Sequence, residues 1–258
     1  MKTYGTKDLE QALLSLNLSS GRPIMIHSAL LALGRPEEIN PKALPETLIG
    51  LFQKLFPCAT LLVPTFTFQW CRGEPFVLET TPSRGMGTFS EAIRKHRGSK
   101  RSPHALQSIA ALGPHAARYT QEQPPSAFDP EGAFDRFLHD NGQLLCLGAT
   151  FEALSLVHWA EEAMKVPYRY WKRFTGPYKD KKGSGLRTFH LYARNEKLMP
   201  RVHLEPIARK LREKDQLRSI PFGHTALLSC NATEFADAAL SLLHRDVNAL
   251  IYETGGNL

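Results

Sequence analysis

Serine, histidine and glutamate fall within seven residues at Ser155-Leu156-Val157-His158-Trp159-Ala160-Glu161. These types suit proton transfer. Imidazole accepts a proton near neutral pH, a carboxylate orients the imidazole, and a hydroxyl or backbone N–H stabilises a developing oxyanion. If Ser155 is a helix N-cap, its hydroxyl accepts free first-turn N–H groups. His158 then sits three residues in, with Glu161 one turn further along the same face. The positive end of the helix dipole disfavours imidazolium, so a histidine there stays neutral and able to take a proton. A histidine that merely packs and hydrogen-bonds in a first turn would look the same, and the spacing leaves both readings open. A G-x-S-x-G elbow, an H-E-x-x-H run and clustered Cys and His are all missing, which argues against a serine hydrolase or a metalloenzyme.

The apolar run Leu144-Leu145-Cys146-Leu147, stopped by Gly148, predicts a buried strand. Behind it, Leu156, Val157, Ala160, Ala163 and Met164 form one broad helical face. A strand-loop-helix edge is where α/β proteins place chemistry. Further strands are predicted over 23–28, 59–68 with Pro64 near the end, 108–113, 188–194 and 226–230. Helices are predicted over 8–17, over 42–56 with Pro45 near the start, from 88 to 96, over 205–214, and through Leu243 after a capping-box-like Asn231 and Glu234. The stretch 69–84 reads as a long loop, 121–130 as a Pro-rich loop. After Arg169 the run holding Lys172, Arg173, Lys179, Lys181, Lys182 and Arg187 reads as a solvated loop. A nucleic-acid patch would read similarly, but few aromatics interleave beyond Phe174 and Tyr178. The alternation of short strands with amphipathic helices predicts an α/β sandwich with a mixed central sheet flanked by helices. We expect one domain over 1–258, with a substrate-side subdomain from about residue 170 as a further reading.

Lys and Arg number 32 against 25 Asp and Glu, giving a formal charge of +7. Such a charge suits an anionic partner: nucleic acid, a membrane surface or a phosphorylated small molecule. It equally suits a basic surface kept for solubility. The polar start and the lack of a long apolar run predict no signal peptide, no membrane span and a cytoplasmic location. The four scattered cysteines read as reduced thiols, not zinc ligands. Two segments suit phosphate. Gly85-Met86-Gly87 can expose helix-entry N–H groups, and Lys100-Arg101-Ser102-Pro103-His104 sets basic side chains beside a hydroxyl. Each also reads plainly, as a helix entry and a solvated turn. His104 is a second histidine candidate.

The segment 155–161, with Lys165-Val166-Pro167-Tyr168 behind it, resembles a signature of the aminoglycoside 3-N-acetyltransferase family, within the antibiotic N-acetyltransferase superfamily. Matches continue in order at Ile26-His27-Ser28-Ala29-Leu30, Leu62-Val63-Pro64-Thr65, Met86-Gly87, Lys100–His104 with Ala110–Gly113, and Pro221-Phe222-Gly223-His224. Together they span roughly residues 8 to 240. The resemblance implies an antibiotic N-acetyltransferase-like fold, different from that of the common acetyl-CoA-dependent N-acetyltransferases. It implies acetyl-CoA as co-substrate, an amine acceptor and no metal. His158 becomes the expected general base, with Glu161 orienting it or serving the acceptor, and Ser155 on the oxyanion. His27, Ser28, Met86, Gly87, Arg101 and Ser102 are the expected coenzyme contacts, Glu74 and Tyr192 the expected acceptor contacts. Neither nucleic acid nor membrane is an expected partner; a homodimer is compatible. Family members that modify aminoglycosides carry acidic residues where 69–74 offers only Glu74 and 189–194 offers none. The acceptor is therefore expected not to be a typical aminoglycoside. Two alternatives stand: a non-catalytic CoA- or nucleotide-binding protein on the same fold, and a true resistance enzyme.

Overall fold

The computed structural model describes residues 2–198 and 200–252. In chain order the strands are β1 (Thr3–Tyr4), β2 (Ile24–Ser28), β3 (Arg35–Pro36), β4 (Leu61–Pro64), β5 (Phe76–Val77), β6 (Lys100–Arg101), β7 (Ile109–Leu112), β8 (Gln143–Leu147), β9 (Arg169–Asp180), β10 (Gly183–Arg194), β11 (Arg218–Phe222) and β12 (Thr225–Asn231). The helices are α1 (Thr6–Ser15), α2 (Leu44–Leu55), α3 (Thr88–Lys95), α4 (Ala116–Tyr119), α5 (Ala133–His139), α6 (Val157–Ala163), α7 (Glu205–Glu213) and α8 (Ala232–Arg245).

Seven strands form the central sheet in the order β11-β12-β8-β2-β4-β7-β6. Its middle three, β8, β2 and β4, run parallel, and the flanking strands are antiparallel. The sheet is therefore mixed, as expected. A strand covered on both faces carries a continuous apolar run, which is how β8 and β4 read. The two-residue alternation divides β8 between two cores. Leu144 and Cys146 pack with α5 to α8, whereas Leu145 and Leu147 pack with α1 to α3. Each fully buried Leu or Phe in these layers contributes about 1.5–3 kcal/mol. Strand β2 has β4 on one side and β8 on the other, so the chain winds in opposite directions from it. The crevice beyond the carboxyl ends of β2 and β8 is such a switch point, where open α/β sheets place ligands.

The stretch after Arg169 is not a loop. β9 and β10 form a long antiparallel hairpin, in register from Arg169↔Arg194 to Asp180↔Gly183, and β5 joins β9 to make a separate three-stranded sheet. Tyr178 and Phe189 turn inward onto Trp70, Phe76 and Leu106. The Trp70 indole N–H donates to the Pro177 carbonyl at 2.8 Å. A Cβ at Gly176 would lie 2.9 Å from that indole, so only glycine allows the approach. The long loop expected over 69–84 thus supplies the cover for the hairpin, and basic residues occupy the solvent side. Arg187, for example, stacks on Tyr178 at 4.5 Å and pairs with Glu122 at 2.9 Å.

Candidate active site

α6 starts at Val157, with Leu156 in the N-cap position and no side-chain cap. Ser155 therefore does not cap the helix. Its carbonyl instead accepts the His158 N–H at 3.1 Å, closing a tight first turn. Its side chain turns to β2, where Oγ lies 3.2 Å from His27 Nε2, and its own N–H donates to the same nitrogen at 3.2 Å. One lone pair cannot fully serve two donors. With the backbone N–H on Nε2, the Ser155 hydroxyl hydrogen remains free to turn to a ligand. Accepting that N–H also fixes the His27 proton on Nδ1. Burial, and then the nearby His158, push His27 down to about 4, so it is neutral.

His158 lies in the first turn of α6, and Glu161 one turn behind it. Nδ1 of His158 is 2.6 Å from Glu161 Oε2. Glu161 is sealed, at 0% side-chain exposure, while His158 retains 26%. Burial alone would raise the Glu161 carboxyl, but His158 and Arg169 outweigh it and hold it below its usual range. An ionised carboxylate only accepts, so Nδ1 must carry the proton and Nε2 the lone pair. Nε2 has no hydrogen-bond partner among the described residues. Arg169, from β9, places Nε 2.8 Å from the same Oε2. Its N–H is not aimed along that contact, which is an ion pair and not a hydrogen bond. The 3.3 Å approach of Arg169 NH2 to Nδ1 sets two donors side by side and bonds nothing. Burial lowers the His158 pKa and Glu161 raises it, leaving it below the ordinary histidine value. The imidazole is therefore neutral, oriented, and open on its basic edge, with Phe128 edge-on at 5.7 Å.

That edge meets two adjoining cavities, of about 470 Å³ and 380 Å³, which also share Arg194 and Arg201. Ser155 lines the smaller one. The larger one holds Glu162, Tyr192, Arg169 and Lys172. The Tyr192 hydroxyl donates to the Val166 carbonyl at 2.8 Å, leaving the ring as the lining surface. Glu162 was missed from sequence. It lies four residues after His158, hence on the same helix face, a signal that was present in the spacing. Glu74 does not line either cavity; it pairs with Arg84 at 3.5 Å at the surface, each about half exposed.

Of the expected coenzyme contacts, four converge at the carboxyl end of β2. A Cβ at Gly87 would lie 3.3 Å from the Ser28 carbonyl, so the Gly85-Met86-Gly87 turn, at φ 88° for Gly87, docks directly on Ser28. The first N–H groups of α3, which follows, have no partner within their own helix. Ser28 Oγ and His27 Nδ1 are buried without hydrogen-bond partners among the described residues. Arg101 and Ser102 face elsewhere. The Arg101 guanidinium is spent inside the protein, donating to the Thr81 carbonyl at 2.6 Å, the Thr65 carbonyl at 2.7 Å and the hydroxyls of Thr67 and Ser108 at 3.0 Å. Ser102 Oγ accepts the Ile109 N–H at 2.9 Å. The Arg101 guanidinium thus braces the sheet edge and keeps no N–H for a phosphate, and Ser102 is buried against the same edge. His104 is a satisfied core histidine, receiving the Gln107 N–H on Nδ1 at 3.0 Å and donating from Nε2 to the Pro125 carbonyl at 3.1 Å. Among the described residues no group of His, Cys, Asp and Glu is placed to hold a metal ion, and no helix is long and apolar enough to cross a membrane.

The family model described as Aminoglycoside 3-N-acetyltransferase matches residues 25–244. Aminoglycoside N(3)-acetyltransferase IV of Salmonella sp is 29% identical over 248 residues, covering 95% of this chain and 90% of that one. The structure of the aminoglycoside acetyltransferase AAC(3)-Xa superposes with a TM-score of 0.81 at 21% identity, over 95% of this chain and 94% of that one. AAC-IIIb in a binary complex with CoASH superposes with a TM-score of 0.79 at 20% identity, over 95% and 97%.

Proposed function

The chain belongs to the aminoglycoside 3-N-acetyltransferase family, and we propose that it transfers the acetyl group of acetyl-CoA to a primary amine with His158 as the general base. The observation that carries this is the His158–Glu161 pair, sealed on the carboxylate side and open on the Nε2 side. The amine nitrogen attacks the thioester carbon, and Nε2 takes the proton that the nitrogen sheds. The imidazolium so formed faces the buried charge of Glu161, the arrangement that stabilises it in a triad. The Ser155 hydroxyl is the donor for the oxyanion of the tetrahedral intermediate. The Ser155 N–H is already used by His27 and does not contribute. When the intermediate collapses, the thiolate leaves and recovers the proton from His158. The coenzyme contacts are His27, Ser28, Met86 and Gly87, where orphaned buried polar atoms meet the start of α3. This reading drops Arg101 and Ser102.

The acceptor is an amine attached to a phosphate, phosphonate or nucleotide. Around the larger cavity the cations Arg169, Lys172, Arg194 and Arg201 outnumber the carboxylates Glu162 and Glu196. Arg169 is matched by Glu161, but Lys172, Arg194 and Arg201 form no ion pair among the described residues. A polycation gains nothing from such a rim, whereas an anionic substituent does. The test is thiol release from acetyl-CoA with aminoalkyl phosphonates and amino-sugar nucleotides, against gentamicin-, kanamycin- and apramycin-type drugs. We expect turnover with the anionic amines and a raised KM for them in Arg201→Ala. A kcat/KM above about 10⁴ M⁻¹s⁻¹ for any of the drugs would refute the acceptor class.

A further inference from the structure

We propose that Glu162 receives the ammonium group of the acceptor and removes its first proton, preparing the free amine that His158 then deprotonates during attack. This rests on the acetyltransferase reading and deepens it. At neutral pH a primary amine arrives as R–NH3⁺, which has no lone pair for the thioester. Two protons must leave the nitrogen before the amide is complete, and one imidazole accounts for one of them.

The local sequence supplies a second base. Glu161 and Glu162 are adjacent, but they point differently. Position 161 is three residues from His158 and turns into the core, where it holds Nδ1. Position 162 is four residues from His158, on the same face, and lines the same cavity. Ser126 donates to its carboxylate, with Oγ 2.9 Å from both oxygens, which holds the group at the cavity wall. Facing Glu162 are Asp129 from the 121–130 loop, Arg169 from β9, and Glu161 and His158 from its own helix. Burial, with Asp129 and Glu161 added, lifts its carboxyl to about 7 against the pull of Ser126 and Arg169. A carboxyl so placed gains most from an arriving cation, and its raised affinity for a proton narrows the gap to a primary amine, which ordinarily titrates at about 10.

The protons balance. R–NH3⁺ passes one proton to the Glu162 carboxylate, giving R–NH2 and the carboxylic acid. The nitrogen forms its bond to the carbonyl carbon and passes its second proton to His158 Nε2. The carbon–sulfur bond breaks, the thiolate takes the proton from His158, and Glu162 releases its own to water.

The test compares wild type with Glu162→Gln and Glu162→Asp. Binding of 2-aminoethylphosphonate and glucosamine is measured by calorimetry against their deaminated counterparts, ethylphosphonate and 2-deoxyglucose. The acetyl-CoA thermal shift is followed in parallel. We expect wild type to favour at least one amine over its counterpart about tenfold, Glu162→Gln to lose that preference, and Glu162→Asp to recover part of it. For an amine that turns over, the Glu162→Gln deficit in kcat/KM narrows as pH rises and the free amine becomes abundant, whereas KM for acetyl-CoA stays unchanged. Equal binding of amine and counterpart by wild type, or an unchanged preference in Glu162→Gln, overturns the proposal. A wild-type protein with no acetyl-CoA thermal shift instead defeats the acetyltransferase reading itself.

Discussion

Replacing Glu161 by glutamine keeps the side chain's size and removes the carboxylate that pairs directly with both His158 and Arg169. The structure sets two consequences. The first is stability. Glu161 is fully buried and the Arg169 side chain is 7% exposed, so the substitution leaves an arginine in the protein without its counter-charge. Removing one partner of a buried pair costs about 3–5 kcal/mol. Arg169 still donates to the Tyr192 carbonyl at 3.1 Å, which favours the lower end. For a chain of this size about 3 kcal/mol lowers Tm by roughly 6–12 °C. The second is the tautomer. A carboxylate at 2.6 Å from Nδ1 fixes the proton there and the lone pair on Nε2. A glutamine amide can present its NH2 instead, which moves the proton to Nε2 and closes the basic edge. A wrong tautomer in a comparable triad lowers kcat by about 10⁴-fold. The assays are thermal melts with and without acetyl-CoA and thiol release with an active amine. A Glu161→Gln protein whose Tm falls by less than about 2 °C and whose kcat stays within about threefold would refute both the buried-pair and the orientation arguments.

Two further outcomes follow from buried groups. His27 and His104 are held neutral, each pushed down to about 4 by burial, while an unfolded chain protonates them near 6.5. Between those values the unfolded state binds more protons, so stability rises with pH, and it is lost as pH falls from about 6.5 towards 4, by up to about 3 kcal/mol for each histidine; urea unfolding at pH 7 and pH 4.5 measures it, and a flat profile would contradict their burial as neutral groups. Arg101→Met strands the Thr65 and Thr81 carbonyls and the Thr67 and Ser108 hydroxyls that the guanidinium serves. It should therefore destabilise by about 3 kcal/mol or more while leaving KM for acetyl-CoA within about twofold, and a large KM rise in a stable variant would restore its coenzyme role.

The elements whose patterns are local were legible in the sequence. β8 and β4 announce themselves as apolar runs, and α2, α7 and α8 by their periodicity and ends. Of the hairpin only the 188–194 part of β10 was legible. Its twelve-residue strands carry cations along the solvent side and a Gly176-Pro177 pair in the middle, and the aromatics that justify it lie about a hundred residues away at Trp70 and Phe76. At the site, His158 and Glu161 could be read because their partnership is a one-turn spacing. Ser155 was misread because the hydroxyl that seemed to cap α6 finds His27 on another element. Likewise, nothing near Arg101 in the sequence shows that carbonyls and hydroxyls of two loops converge on it. Asn231 does hold the N-cap position of α8, yet its side chain accepts from Arg22 at 2.8 Å instead of capping.

The central claim is that His158 is a base and not a binding residue, so the most direct measurement separates those roles in one variant. His158→Ala is melted with acetyl-CoA at about a hundredfold excess over its Kd, where native-state binding adds about 2.7 kcal/mol. Turnover is then followed by thiol release with an amine that wild type uses. We expect a full acetyl-CoA shift with turnover lower by about 10²- to 10⁴-fold. Turnover within about threefold of wild type, with the shift intact, would contradict it.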